Sequence, residues 1–405
     1  MLGPMTTGAR MHVVIAGAGV AALEAALALR ELAGDRVTVE LVAPEQEFRY
    51  RPLSVAEPYG YGEMRRFPLD RLVAAAGAEL RAGSVAKLHV DAKEVTLDDG
   101  TAVAYDTLLV ATGVTAREAV PGALTFGGPE QRDSLSMLLD RAKAGELKRI
   151  VFTRPPTPIW PLPLYELAFQ TAEHLADALA RGIEIVVATP EPVPLALFGR
   201  AASDEVARLL EIRGIEFRPG ASPLHWADGS LYLTDGGRID ADAAVSLPRL
   251  EGERIEGLLQ DEAGYVATDE LGWVLGLTDV YAAGDITDFP VKQGGIAAEQ
   301  ADAVATSIAA DAGAGVRPRT FEPVLRGLLL TGMHPRFLRS QHEGRQSIID
   351  LQPLWWPPTK IVGRHLSPFL AQQLGLALHA PPPEGHALPI EVTIETRDRA
   401  EWARV

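Results

Sequence analysis

With 405 residues the chain has room for two or three domains, each with a sizeable core. Its composition, 47% hydrophobic and 23% charged, is that of a globular protein, and a net charge of −16 argues against a nucleic-acid partner. The absence of cysteine excludes disulfides, thiolate metal sites and any redox-active cysteine pair.

The first ten residues lack the apolar core of a signal peptide and read as a flexible leader. No 18-residue apolar run follows, so the expected location is the cytoplasm or the inner face of a membrane. Val13 to Ala16 reads as a buried strand of a parallel sheet, and Leu23 to Leu32 carries apolar residues at helical spacing. Between them, Gly17-Ala18-Gly19-Val20-Ala21-Ala22 is a dinucleotide-binding fingerprint with alanine in the third position. Gly17 permits the tight turn, Gly19 lets the backbone approach a pyrophosphate, and Ala22 lets helix and strand pack closely. The phosphates would sit on the helix N-terminus, where free N–H groups and the helix dipole favour an anion.

A second strand runs from Val37 to Pro44. The fingerprint expects an acid at its end to bind a ribose hydroxyl. That position is Ala43, so the contact passes to Glu45, with mid-strand Glu40 the poorer choice. Glu47 to Ser54 reads as a loop: either a solvated turn, or a wrap around the cofactor with Arg49 or Arg51 near the phosphates. Residues 84–113 read as short strands with a hairpin turn at Asp99-Gly100. The last of them, Leu108 to Ala111, leads into Thr112 and Gly113, small residues that suit close approach of a ligand.

Residues 149–219 repeat the plan, with strands at 149–153, 183–189 and 215–219 and helices at 163–181 and 203–213. The first turn of this unit, 154–166, holds no glycine and is rich in proline. Proline lacks an N–H, so a nicotinamide dinucleotide bound in the usual mode is disfavoured. A two-stranded stretch at 230–239 and a strand at 243–247 follow. Val280 to Ala283 is a strand ending at Gly284-Asp285, the end at which ligands meet an open α/β sheet. A long helix spans Ala297 to Ala310.

Residues 317–405 differ in character. Between 326 and 364, Arg326, Arg336, Arg339, Arg345, Lys360 and Arg364 outnumber Glu343 and Asp350 by 6 − 2 = 4. Trp355, Trp356, Leu366, Phe369 and Leu370 accompany that charge. Two readings stay open: a peripheral membrane surface, or a region packed on the rest of the chain or on a second copy in a homodimer.

Three motifs together resemble the FAD-dependent pyridine nucleotide-disulfide oxidoreductase superfamily: the stretch from Gly17 to Glu24, Tyr105 to Gly113, and Val280 to Asp285. Within it the chain is most similar to the branch of sulfide:quinone reductases, flavocytochrome c sulfide dehydrogenases and type II NADH dehydrogenases. The resemblance covers about the first 315 residues; the stretch WWPPTKIVGRHLSPFL (355–370) is more loosely similar to that branch's quinone- and membrane-facing tail. It implies an α/β fold of two Rossmann-like domains. A discontinuous FAD domain would span 1–115 and 250–315, a second domain with a degenerate NAD(P)-type loop 116–249, and a smaller C-terminal region 316–405. The FAD pyrophosphate would lie at Gly17 and Gly19, at Val20, Ala21 and Ala22 of the same turn, and at the helix that follows. Val85 would offer backbone atoms to the adenine, Ala111, Thr112 and Gly113 would line the nucleotide, and Gly284 and Asp285 would hold the ribityl chain. Gln293, Gly294, Gly295 and Ile296 would put a helix N-terminus beside the ring, where it stabilises the negative charge of a reduced flavin.

Glu166 matches the family's glutamate near the ring and would relay protons, with Lys292 as a partner that holds charge. Trp160 and Tyr165 would stack on an organic redox partner, with quinone the leading acceptor. Two departures limit the likeness. Sulfide oxidation in that branch uses cysteines, which this chain lacks, and NADH oxidation uses the glycine-rich turn that here is rich in proline. The expected function is an FAD-dependent oxidoreductase acting between an unidentified donor and a quinone-like acceptor. The alternatives are an NAD(P)H:acceptor reductase with an atypical nicotinamide site and a non-catalytic flavin-binding protein.

Overall fold

A computed structural model describes residues 10–341, 346–376 and 378; most of the expected leader, Glu343, Arg345 and the chain from 379 onward lie outside the described residues. Two parallel sheets form the body. The first begins with β1 (Met11–Ala16), α1 (Val20–Leu32), β2 (Val37–Ala43), β3 (Glu79–Ala82) and β4 (Thr107–Val110). The chain then builds a second unit from β5 (Leu124–Thr125), β6 (Arg149–Thr153), α2 (Leu162–Asp177), β7 (Glu184–Ala188), α3 (Arg200–Ile212), β8 (Ile215–Arg218) and β9 (Ala243–Ser246). It returns to the first sheet with β10 (Val280–Ala282), followed by α4 (Gly294–Asp311). The strand orders are β10-β4-β1-β2-β3 and β5-β9-β6-β7-β8, every pairing parallel. An antiparallel pair, Val114–Arg117 with Arg249–Gly252, joins the two crossings between the units.

The unbroken apolar run of β1 follows from covering both faces of its sheet. Val13 and Ile15 pack into the core that α1 and α4 complete. Val14 and Ala16 face the opposite core, shared with the antiparallel strands Val85–His89 and Glu94–Leu97. Those strands turn through Asp99-Gly100 into Ala102–Ala104 as the sequence signals.

Four local expectations are corrected. Glu47 to Ser54 is not a loop: Glu47–Tyr50 is a strand paired with Arg65–Pro68, followed by a 3-10 helix over Arg51–Tyr59. Phe48 and Tyr50 are its buried face, alternating with exposed Glu47 and Arg49. The first helix starts at Val20 rather than Leu23, and the last long helix at Gly294 rather than Ala297. The stretch 230–239 belongs to a three-stranded sheet that also includes Pro223–Ala227.

The C-terminal region folds back on both units. Its sheet, β11 (Leu325–Leu329), β12 (Arg336–Gln341) and β13 (Gln346–Asp350), places Leu325, Leu328, Leu329, Phe337 and Leu338 in the core of the second unit. Ile361, together with Leu366 and Leu370 of α5 (Leu366–Gln373), enters the core of the first. Much of the basic charge read as a displayed surface is spent within the fold. Arg326 pairs with Glu299, Arg336 with Glu205 at 3.1 Å, Arg364 with Asp302 at 3.7 Å and Lys360 with Glu166 at 2.7 Å. Trp355 stands edge-on to Phe337, and its indole N–H donates to the Thr359 carbonyl at 2.9 Å. Among the described residues no helix is long and apolar enough to cross a membrane.

Candidate functional site

The expected phosphate cradle holds two glycines, of which the fold itself requires only Gly17. Gly17 has φ +114°, and a Cβ there would lie 2.4 Å from the Ala111 carbonyl oxygen. The turn after β1 is thus pressed against the end of β4, a close approach that a side chain would block. Gly17 N–H donates to the Val42 carbonyl at 2.8 Å, which fixes the turn on β2. Gly19 is the N-cap of α1, with no side chain capping the helix and no acid in its first turn. A Cβ at Gly19 would meet nothing within 4 Å. The helix therefore offers its first N–H groups beside an open space at Gly19, which fits a pyrophosphate. Ala22 is fully buried, and a Cβ at Gly284 would be 3.0 Å from that of Ala21, so β10 ends against the same helix start. The buried Thr112 hydroxyl, just beyond β4, has no hydrogen-bond partner among the described residues. Gly113 follows it with φ +72°.

The acids expected at the ribose separate. Glu40 is bound to Arg81 at 2.6 Å and His12 at 3.4 Å, while Glu45 is exposed just past β2. Arg49 pairs with Glu130 at 3.5 Å. Arg51 lines a cavity whose walls do not include Gly17 or Gly19. Val85 is buried and paired with Leu97.

That cavity, about 270 Å³, lies where the two units and the C-terminal region meet. Asp285, Lys292, Gln293 and Gly294 form one wall, and Glu166 and Lys360 another. Phe126, Ile159, Trp160, Leu162, Leu250 and Leu328 supply apolar surface between them. Gln293 caps α4 by accepting the Ile296 N–H at 2.8 Å, while its amide donates to the Arg326 carbonyl at 3.2 Å. A Cβ at Gly294 would lie 2.9 Å from Ile361, and one at Gly295 2.9 Å from the Gln293 side chain, so a substitution at either would push a cavity-lining side chain aside. Burial pushes the Asp285 carboxyl up to about 6, against the pull of Lys292 and of the Gln293 N–H. Burial likewise pushes Lys292 down to about 8, with Asp285 opposing. The Lys292 ammonium donates to the Thr287 carbonyl and sits 3.8 Å from the centre of the Tyr265 ring.

Lys292 is therefore not the partner of Glu166. That partner is Lys360, whose ammonium donates to both Glu166 oxygens at 2.7 and 2.8 Å and to the Pro52 carbonyl at 3.2 Å. Glu166 Oε1 also accepts the Leu330 N–H at 2.9 Å. Burial raises the Glu166 carboxyl and lowers the Lys360 ammonium, each against the opposing charge of the other. Tyr165 is also corrected. It is fully buried, donating to Glu191 at 2.8 Å and accepting from the Leu195 N–H at 3.2 Å, so it cannot stack on a ligand. Trp160 does line the cavity, edge-on to Phe198 with ring centres 5.5 Å apart.

In the second unit the turn after β6 has no glycine between residues 154 and 166. That turn carries the proline-rich stretch, and Glu191, just past β7, accepts from Tyr165 and from the Thr189 hydroxyl at 3.1 Å. Arg154 approaches the same carboxylate at 3.7 Å.

A family model described as pyridine nucleotide-disulphide oxidoreductase matches residues 11–152 and 167–306. An NADH dehydrogenase-like protein of Mycobacterium tuberculosis is 25% identical over 290 residues, covering 68% of this chain and 72% of that protein. The rubredoxin–NAD(+) reductase of Pseudomonas putida is 26% identical over 346 residues, covering 80% and 86%. In fold, the chain is similar to the sulfide:quinone oxidoreductase of Aquifex aeolicus, with a TM-score of 0.76 at 19% identity, covering 84% and 87%.

Proposed function

Since the chain belongs to the pyridine nucleotide-disulphide oxidoreductase family and is an FAD-dependent oxidoreductase, we propose that its cavity receives a small organic electron acceptor of quinone type. The observation that carries this reading is the Glu166–Lys360 pair set in an otherwise largely apolar wall. FAD held at Gly17, Gly19, Thr112 and Asp285 would supply two-electron redox chemistry to that cavity. Reducing a quinone to its quinol also consumes two protons, and the pair is suited to hand one over. Burial loosens the hold of Lys360 Nζ on its proton and strengthens that of the Glu166 carboxyl, so Lys360 is the member suited to give a proton up and Glu166 the one suited to take it back. Trp160 offers a flat face to a planar ring, and the apolar side chains exclude water. Contact with a membrane face, or with a second copy, would fall to exposed Met333, Ile348 and Leu351 of the C-terminal region.

Asp285 is assigned to a hydroxyl of the cofactor's ribityl chain, which it accepts best as a carboxylate. With its carboxyl raised to about 6 in the free protein, cofactor binding is favoured above that pH and lost as pH falls through it. The FAD dissociation constant of the apoprotein, followed by fluorescence quenching, should rise towards tenfold per pH unit below about pH 6. Asp285→Asn should flatten that dependence.

The relatives' names favour a second reading, in which NAD(P)H is the donor. Against it stand the glycine-free turn at 154–166 and the bonds that occupy Glu191. Anaerobic mixing with NADH or NADPH should leave the flavin absorbance unchanged over seconds. Bleaching within that time would establish the second reading in place of the closed nicotinamide site.

A further inference from the structure

Glu24 is a fully buried carboxylate in the second turn of α1, between Leu23 and Ala25 on a helix otherwise built of alanine, leucine and one valine up to Arg30. An acid there costs desolvation that an alanine would not. Its oxygens are not paired with a lysine or arginine among the described residues. Instead Oε1 accepts the His365 N–H at 2.8 Å and Oε2 the Leu366 N–H at 2.7 Å. The chain crosses this carboxylate so closely that a Cβ at Gly363 would lie 2.5 Å from Oε2. Asp302 of α4 stands beside it, facing Arg364 at 3.7 Å and the His365 ring at 3.6 Å, and the other His365 ring nitrogen faces Glu31 at 3.3 Å.

The segment so held is the one that completes the cavity. Lys360 lies five residues before His365 and meets Glu166. Ile361 packs on Gly294, and its N–H donates to the Tyr50 hydroxyl at 3.0 Å. The Ile361 carbonyl accepts from the Ser367 hydroxyl at 2.8 Å, while the Gly363 N–H donates to that same hydroxyl at 2.7 Å. Residues 360–366 are thus tied at one end to α2 and at the other to α1, whose first turn is the phosphate cradle.

We propose that Glu24 is a positioning residue: by holding two consecutive N–H groups it fixes residues 360–366 and so sets Lys360 against Glu166. The part played by Lys360 in the cavity rests on the function proposed above; the anchoring does not. Burial, with Asp302 beside it, pushes the Glu24 carboxyl up to about 7; above that pH each oxygen accepts one N–H, whereas an amide offers one acceptor and turns a donor towards the other N–H.

The test uses the full chain with Glu24→Ala and Glu24→Gln, each with and without FAD. In the apoprotein, hydrogen exchange at the amides of 360–366 should rise at least tenfold in E24A and by less in E24Q. The amides in the second half of α1 should keep the parent's rates. With FAD bound, E24A should alter the flavin's visible absorption and fluorescence, and this alteration should vanish in a Lys360→Met background, where the anchored group is already gone. Should E24A fail to fold, isosteric E24Q carries the test alone. Unchanged exchange at 360–366, or a spectral change of equal size with and without Lys360, would overturn the proposal. If exchange rises as stated but the reduced flavin ignores quinones, the anchoring stands and the proposed acceptor falls.

Discussion

Gly19→Val is expected to give a folded apoprotein that loses no more than about 1 kcal/mol, the cost of valine at a helix N-cap, and binds no flavin. The two effects separate because of where Gly19 lies. Its backbone is not in the left-handed region, and a Cβ there would meet no protein atom within 4 Å. The fold meets no clash at Cβ and loses only glycine's better fit at the N-cap. The added atoms instead fill the space before the first N–H groups of α1, where a pyrophosphate must sit within hydrogen-bond distance. FAD affinity should fall at least a hundredfold, which corresponds to about 2.7 kcal/mol. Gly17 is the contrasting case. There Gly17→Ala meets the Ala111 carbonyl at 2.4 Å and a φ of +114°, so stability and FAD should be lost together. Thermal melts of the apoproteins, alongside FAD titrations, distinguish the two patterns.

Lys360→Met is expected to destabilise the protein by about 3–5 kcal/mol near neutral pH, the usual cost of leaving one member of a buried ion pair alone. Glu166 is almost wholly buried, and among the described residues the Leu330 N–H would be its one remaining hydrogen-bond donor. The sign with pH follows from the raised Glu166 carboxyl. A group raised by folding favours the folded state in its protonated form, and that contribution is lost as pH rises through the folded value. The Lys360→Met deficit should therefore be smallest in acid and grow towards neutrality. The double variant Glu166→Leu, Lys360→Met should recover most of the loss, because two apolar groups replace the pair without leaving a buried charge. Urea unfolding of the parent and the two variants at several pH values measures both trends.

What the sequence discloses about this molecule is local. The β1 run, the Gly17–Gly19 turn and the α1 start lie within twenty residues, and their geometry follows from apolar period and glycine spacing alone. The strand at Glu47–Tyr50 was also legible, since Phe48 and Tyr50 alternate with charged neighbours, but the arginines and proline nearby favour a loop reading. Lys360 could not be read in this way. Its partner lies 194 residues earlier, and beside Trp355, Trp356 and two prolines it reads as surface charge. Tyr165 shows the reverse error. An aromatic beside a proline-rich turn reads as a stacking surface until Glu191 and the Leu195 N–H are seen to occupy its hydroxyl. Helical pattern placed Glu166 on α2, yet only the returning C-terminal segment shows which charge neutralises it.

The decisive measurement is the reoxidation of the reduced, FAD-loaded protein by a short-chain ubiquinone analogue, followed anaerobically by stopped-flow absorbance. The parent should reoxidise in a fast, saturable phase, and Lys360→Met at least tenfold more slowly at saturating quinone. A rate that rises linearly with quinone, no faster than for free reduced flavin and equal in the two proteins, would contradict the assignment of this cavity to an organic acceptor.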